Sequence, residues 1–418
     1  NKEDIMVSSA LSFIFNLIIF LLSLCVLICL HELGHLSMAK LFKVYCYEYS
    51  IGMGPLIYQH QGINKKTGKK RETKISIRAL PVGGYVSMAG DEDAEGDLTN
   101  DEIDAVPKER TLGGIHWCKQ IVVMIAGIVV NFIIGFLFFI ISYTCCPQYI
   151  YSSNQVVILE NSKLISENIN QGDKIQINSI HQFITKSDGT IIEIYDPSEG
   201  ADKSVSTFKT NSYTEISTVL NYATFNSDTV SFLPMSEKDV KTIEFEITLQ
   251  DGTETTKIVN VNPVEYENKN NIGKSYTWDT IGFSVTTDFL GFAEGMKQAC
   301  SKFGQSVCLL FEAIGSLFVS SDAWAQTGGI ISVFRVSSQA VSLGAGVFFS
   351  YWGLISVNLA IFNLLPFPGL DGWHIVVAAF EGISKKKIPN KVKSIVSFIG
   401  MILLFGLMIV LLVKDLFF

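Results

Sequence analysis

Charge is what this sequence has least of. Only 17% of its 418 residues are Asp, Glu, Lys or Arg, against about a quarter in an ordinary soluble domain. The shortage is concentrated, with no charged side chain from Ile5 to Leu30, from Ile121 to Cys146 or from Val336 to Leu370. That distribution excludes one large soluble core and points to membrane spans. The net charge of −8 argues against a nucleic-acid partner, which needs cations against phosphates. The eight cysteines have no regular spacing and no CxxC pair, so neither a disulfide framework nor a cysteine metal site is expected. The polar first residues lack the basic stretch of a cleaved signal peptide. Between Pro147 and Tyr276 there is no Gly-rich phosphate loop and no cluster of His or Cys. His181 stands alone there as a surface or packing residue.

What is present divides the chain into four parts. Residues 1–146 hold two spans, Ala10–Leu30 with a helical extension to about Lys43, and Ile121–Cys146, since about 20 apolar residues cross the hydrocarbon. Between them lies a polar loop in which Tyr49–Leu56 and Ile75–Ala89 alternate like strands. A Pro81-Val-Gly-Gly turn there predicts a hairpin with an open edge for an extended peptide. Asp91–Asp104 reads as a solvated acidic loop. Residues 147–276 predict a compact β-rich domain with strands at 155–159, 174–178, 191–195, 242–249 and 256–261, a helix at 214–224 and a turn at Asp251-Gly252. Residues 277–343 read as amphipathic helices on the membrane surface. Residues 344–418 hold two more spans.

Two motifs carry chemistry. The first is His31-Glu-Leu-Gly-His35, at the end of the first apolar run. On a helix, His31 and His35 share one face a turn apart, the spacing of two ligands of one Zn²⁺, with Glu32 beside them to take a proton from a water at the metal. The second is Asn363-Leu-Leu-Pro-Phe-Pro-Gly-Leu-Asp371-Gly-Trp-His374. Its prolines break a helix at membrane depth, which is tolerated only where protein or a cavity surrounds the backbone. An isolated Asp371 there calls for a partner, and a metal ion is one.

Positive-inside arithmetic joins the two motifs. The loops at Lys40–Lys119 and Lys385–Lys393 are rich in lysine and arginine, whereas 147–340 carries 13 basic against 23 acidic residues. The basic loops therefore go to the cytosol and the β-rich domain outside. His31, His35 and Asp371 all fall near the cytosolic ends of their helices and make three ligands, with a fourth position open for water. Glu32 serves as proton acceptor and then donor, and Asn363 is placed to hydrogen-bond the substrate backbone or the developing oxyanion. His374 is a rival third ligand or a supporting group. Asn131, alone in the second span, reads as glue between helices.

With these residues in view, the sequence resembles the site-2 protease family of intramembrane zinc metalloproteases, and within it the bacterial RseP-like branch with one PDZ domain. The carrying residues are His31–His35, the GMGP of 52–55, Pro81-Val-Gly-Gly-Tyr85-Val-Ser-Met88, Asn363-Leu-Leu-Pro366 and Leu370-Asp371-Gly372. The resemblance implies zinc held by His31, His35 and Asp371, Glu32 as catalytic base, and Asn363 as a substrate-binding residue. It also implies a membrane-associated β-hairpin in which Gly83, Gly84 and Tyr85 meet the unwound substrate. The fold it implies is a polytopic α-helical membrane protein with four transmembrane helices, HExxH on the first and the Asp ligand on the third. A PDZ-like α+β domain on the outer face of a bacterial plasma membrane completes it.

The function implied is zinc-dependent cleavage of transmembrane segments in regulated intramembrane proteolysis. The partners implied are transmembrane substrates such as anti-sigma factors or signal-peptide remnants, with the lipid bilayer around them. The chain departs from the family pattern at Gly127-Ile128, where a Gly-Pro is usual, and at Trp373. The alternative reading is a non-catalytic PDZ-bearing membrane receptor or scaffold with a zinc site.

Overall fold

In a computed structural model, the chain forms two compact units, residues 1–146 with 290–418, and Pro147–Phe289. The structure describes all residues except 1, 64–69, 91–104, 195–206, 222–224, 227–230, 233–237, 267–274, 318, 320–326 and 418. The acidic run Asp91–Asp104 therefore lies outside the described residues.

The first unit is helical. Helix α1 (Lys2–Leu41) carries the first apolar run and the His31 motif without interruption. Helix α2 (Trp117–Ile140) ends in a π-turn at Ile141–Cys145. Among the described residues, four helical segments are long and apolar enough to cross a membrane: Ala10–Leu41, Trp117–Cys145, Ala345–Leu364 and Lys391–Phe417. Their side chains explain why they sit together. Helix α6 (Ala345–Leu364) meets α2 at a glycine pair, where a Cβ on Gly135 would come 3.0 Å from the Gly353 carbonyl oxygen and one on Gly353 would come 3.1 Å from that of Gly135. Small residues let two backbones approach this closely when lipid offers no hydrophobic drive. The Ser356 hydroxyl then donates to the Asn131 carbonyl across the same contact at 2.8 Å.

The connection between the first two spans is a ribbon of two long strands, β1 (Cys46–His60) and β2 (Lys74–Met88). Pro81-Val-Gly-Gly is not the turn of this hairpin but lies inside β2. It makes a bend, with Gly83 at φ +86°, matched in β1 by Gly52 at +84° and Gly54 at +82°. These are left-handed values that only glycine adopts without strain. Because both strands bend, Ser50 faces Tyr85 on one side and Ser76 on the other.

Residues 292–342 form helices α4 (Phe292–Leu317) and α5 (Ile330–Ser342). The amphipathic pattern of α4 has a cause other than a lipid surface alone. Ala299, Phe303, Val307 and Leu310 pack with Phe139, Val357 and Ile361 of the transmembrane helices. Helix α7 (Asp371–Ser384) follows the proline break, and α8 (Asn390–Phe417) closes the unit.

Among its described residues, the second unit is built on a seven-stranded sheet with a helix packed on it. Its strands β3 (Gln155–Ile158), β4 (Lys174–Thr185), β5 (Val240–Thr248), β6 (Glu254–Val261) and β7 (Phe283–Val285) take the spatial order β6-β5-β4-β3-β7. Inward positions of β5, Ile243, Phe245 and Ile247, join Ile175, Ile177 and Ile180 of β4 and Ile216 of helix α3 (Tyr213–Asn221) in one core. The unit runs to Phe289, past residue 276, because β7 pairs with β3. His181 lies 3.2 Å from a Glu244 carboxylate oxygen on the neighbouring strand.

Candidate metal centre

The site is assembled where α1, α2 and the α6–α7 break meet. Periodicity does the first part: His31 and His35 are four apart on an unbroken helix, so both rings leave the same face. Both are buried, and their Nε2 atoms stand 3.1 Å apart.

The proline-rich stretch does the second part. Helix α6 stops at Leu364 and α7 starts at Asp371, with Gly369 at φ +96° in between. A Cβ on Gly372 would fall 2.2 Å from the Leu365 carbonyl oxygen, so glycine lets the new helix start hard against the end of the old one. This turn delivers the carboxylate: Asp371 Oδ2 lies 3.0 Å from His31 Nε2 and 3.3 Å from His35 Nε2. Ligand atoms of one tetrahedral Zn²⁺, each about 2.0–2.1 Å from it, stand roughly 3.3 Å from each other. His31, His35 and Asp371 form the only such group of three among the described residues.

Two orphaned atoms fit a missing cation. Asp371 Oδ2 is buried with no hydrogen-bond donor, and Asn131 Oδ1 is buried and unpartnered. Asn131 Nδ2 lies 3.0 Å from His31 Nδ1. A metal on Nε2 requires the proton on Nδ1, so with the metal bound the amide turns over to accept that N–H with Oδ1, which then gains a partner. His35 is held the same way, its Nδ1 lying 2.8 Å from the Val123 carbonyl oxygen.

The other predicted residues fall around this point. Glu32 is half-buried, close to His31, His35 and Asp371 but outside the ligand group, with the Val86 backbone of β2 beside its carboxylate. Asn363 Nδ2 lies 3.4 Å from His31 Nε2. Gly83 and Gly84 lie against α1, with the Cys25 thiol 3.8 Å from the Gly83 carbonyl oxygen and a Cβ on Gly84 coming 3.5 Å from Cys29 Sγ and 2.7 Å from the Ser50 carbonyl oxygen. Tyr85 turns toward Arg78, whose guanidinium is 5.3 Å from its ring centre. His374 is not in the ligand group; with Trp373 it lines a cleft of about 360 Å³ beside the loop at Lys108–Gly114.

Asn131 joins two helices, as expected of helix glue, and its partner across the contact is the His31 ring. Gly127 was missed by reasoning from sequence. Gly127 is required by contact, since a Cβ there would lie 2.4 Å from His35 Nε2 and 2.8 Å from His31 Cε1. The available signal was their spacing: Gly127 and Asn131 are four apart on one face of an otherwise aliphatic span.

Among known proteins, the chain matches the sequence profile of peptidase family M50 over residues 19–407. It is 29% identical over 405 residues to a Clostridium perfringens protein whose name assigns it provisionally to the zinc metalloproteases, spanning 95% of this chain and 97% of that one. It is 24% identical over 470 residues to the zinc metalloprotease RasP of Shouchella clausii, spanning 96% and 98%. It is 26% identical over 463 residues to the regulator of sigma E protease of Haemophilus influenzae, spanning 97% and 99%.

Proposed function

Because this chain belongs to peptidase family M50 and is a zinc metalloprotease with several membrane-spanning helices, we propose that it is an endopeptidase acting on transmembrane segments of other proteins. The observation that carries this reading is the convergence of His31 and His35, on the first apolar helix, with Asp371, at the start of α7 just after the third, within 3.3 Å of one another and with Glu32 beside them.

Zinc, when bound by His31, His35 and Asp371, supplies Lewis acidity that makes water a better nucleophile and a peptide carbonyl a better electrophile. The protein supplies the rest. Glu32 takes the proton of the attacking water and returns it to the leaving amine. Asn363 donates to the substrate carbonyl oxygen as negative charge develops there. Asn131 and the Val123 carbonyl keep the ligating rings in one tautomer and one orientation. A transmembrane helix hides its peptide bonds, so it must be unwound to react. The β2 edge near Val86 offers replacement hydrogen bonds to the extended strand.

The substrate class we favour is anti-sigma factors and signal-peptide remnants, in regulated intramembrane proteolysis. The name of the Haemophilus influenzae relative, a regulator of sigma E protease, supports the first of these. The basic loops support a metal centre toward the cytosol and a second unit outside. That unit is read as PDZ-like, with β7 as the edge at which a peptide adds. The scaffold alternative leaves Glu32, a carboxylate beside the ligand group but outside it, without a use.

The test is Glu32→Gln. Zinc content should match the parent while cleavage of a transmembrane-segment substrate in vesicles falls about 10²–10⁴-fold. Cleavage at the parent rate would overturn the assignment of the base.

A further inference from the structure

The outer side of the α1–α2 contact carries a cleft of about 400 Å³ whose lining includes Leu33, Gly34, Ser37, Val122, Ala126 and Ile133. Its depth comes from small residues. Gly34 sits against the Ala126 backbone, where a Cβ would come 2.6 Å from the carbonyl oxygen, and Ala126 adds one methyl. The only hydroxyl in the wall, that of Ser37, donates back to the Leu33 carbonyl at 2.6 Å and leaves the cleft apolar. Leu33, Val122, Val129 and Ile133 are all more than 40% exposed along its rim, so it opens to the surroundings of the two spans.

The cleft has one charged end. Lys119 precedes Val122 by three residues and Phe42 follows Met38 by four, so each continues its helix's lining face by one turn. There the Lys119 ammonium stands 5.6 Å from the Phe42 ring centre. Lys43 follows immediately, exposed, with its backbone at φ +64°. An apolar slot between two spans that ends at an ammonium at the level of the polar loops matches one chemistry: a hydrocarbon chain attached to an anion.

We propose that this cleft is a binding site for one anionic glycerophospholipid, with an acyl chain between α1 and α2 and the phosphate on Lys119. The site backs onto the metal centre, because the wall residue Ala126 adjoins Gly127, which touches both imidazoles, and Val122 adjoins Val123, whose carbonyl oxygen holds His35. A bound chain would hold together the two backbones that position the ligands. The proposal needs only that α1 and α2 cross a bilayer; it does not depend on the roles given to Glu32 or Asn363.

The experiment is native mass spectrometry of the delipidated full chain in a zwitterionic detergent, titrated with phosphatidylglycerol or phosphatidylcholine, with zinc content as the check on folding. One phosphatidylglycerol per chain should be retained in preference to phosphatidylcholine. Lys119→Gln should lower that retention about fivefold, the effect of one ammonium near an anionic headgroup, and leave phosphatidylcholine unchanged. Ile133→Trp, which fills the slot at an exposed position, should abolish retention of both lipids. Lys385→Gln, in the separate lysine cluster, should change nothing. Equal retention of the two lipids, an equal effect of Lys385→Gln, or a lipid-free dimer closing the slot would each overturn the proposal.

Discussion

Asn131 and His31 meet side chain to side chain across two transmembrane helices, with the amide 3.0 Å from Nδ1 and both residues buried. The pair converts a helix contact into control of a ligand, because the amide decides which imidazole nitrogen carries the proton. Replacing Asn131 with Ala should therefore weaken zinc binding about 10–100-fold, the usual cost of losing a partner that orients a ligand. Asn131→Asp, which keeps an acceptor toward Nδ1, should restore most of it. Zinc competition with a chelator of known affinity reads both. Equal affinity in Asn131→Ala and the parent would return this residue to a packing role.

Gly127 makes the opposite kind of demand. The imidazoles occupy the space a Cβ would need, at 2.4 and 2.8 Å, so Gly127→Ala must displace either a ligand or the helix. The expected outcome is loss of zinc by at least tenfold with the chain still inserted in the membrane. The same substitution at Gly113, where nothing lies within 4 Å of the added carbon, should leave zinc content unchanged. Metal analysis of purified protein separates the two.

Asp371 and His374 can be told apart as the third ligand. The carboxylate lies 3.0 and 3.3 Å from the two Nε2 atoms, whereas His374 lines the neighbouring cleft. Asp371→Asn should lose most bound zinc and most proteolysis, while His374→Ala should retain zinc. Retention of zinc by the first and loss by the second would exchange their roles.

The sequence and the structure agree where a strong local rule operates. The spacing of His31 and His35 survives because nothing breaks α1 between them. Asp371 was legible because two prolines in an uncharged run leave few ways to accommodate a carboxylate at membrane depth. The strands expected from alternation at 155–159 and 242–249 form at 155–158 and 240–248. What local pattern does not encode is which backbone approaches which. Gly127 looks like any glycine in a span until the imidazoles are placed against it. Pro81-Val-Gly-Gly has turn chemistry, yet it bends a strand because β1 bends with it at Gly52 and Gly54. The apolar face of α4 has a moment that suits lipid as well as protein, and only the packing with Phe139 and Val357 distinguishes them.

Lys241 offers a test in the second unit that is independent of the metal. It occupies an inward position of β5 beside Ile243 and Phe245, only 2% exposed, and its ammonium donates to the Leu220 carbonyl at the end of α3 at 2.8 Å. A cation at a helix C-terminus is favourable, but burial dominates and pushes the Lys241 pKa down to about 7 from 10.5. The sign follows from proton counting. Between those values the unfolded chain holds the proton and the folded chain releases it, so folding stability rises with pH from about 7 to about 10.5, by up to about 1.4 kcal/mol per pH unit. Below pH 7 both states are protonated and this contribution is flat at its least favourable level. Lys241→Met keeps the length of the side chain and removes the titration. It should stabilise the second unit at neutral pH and flatten the pH dependence in that window. Pulse proteolysis of the second unit within the full chain, in urea at pH 7 and pH 9, measures both. An unchanged pH slope in Lys241→Met would assign the titration to another group.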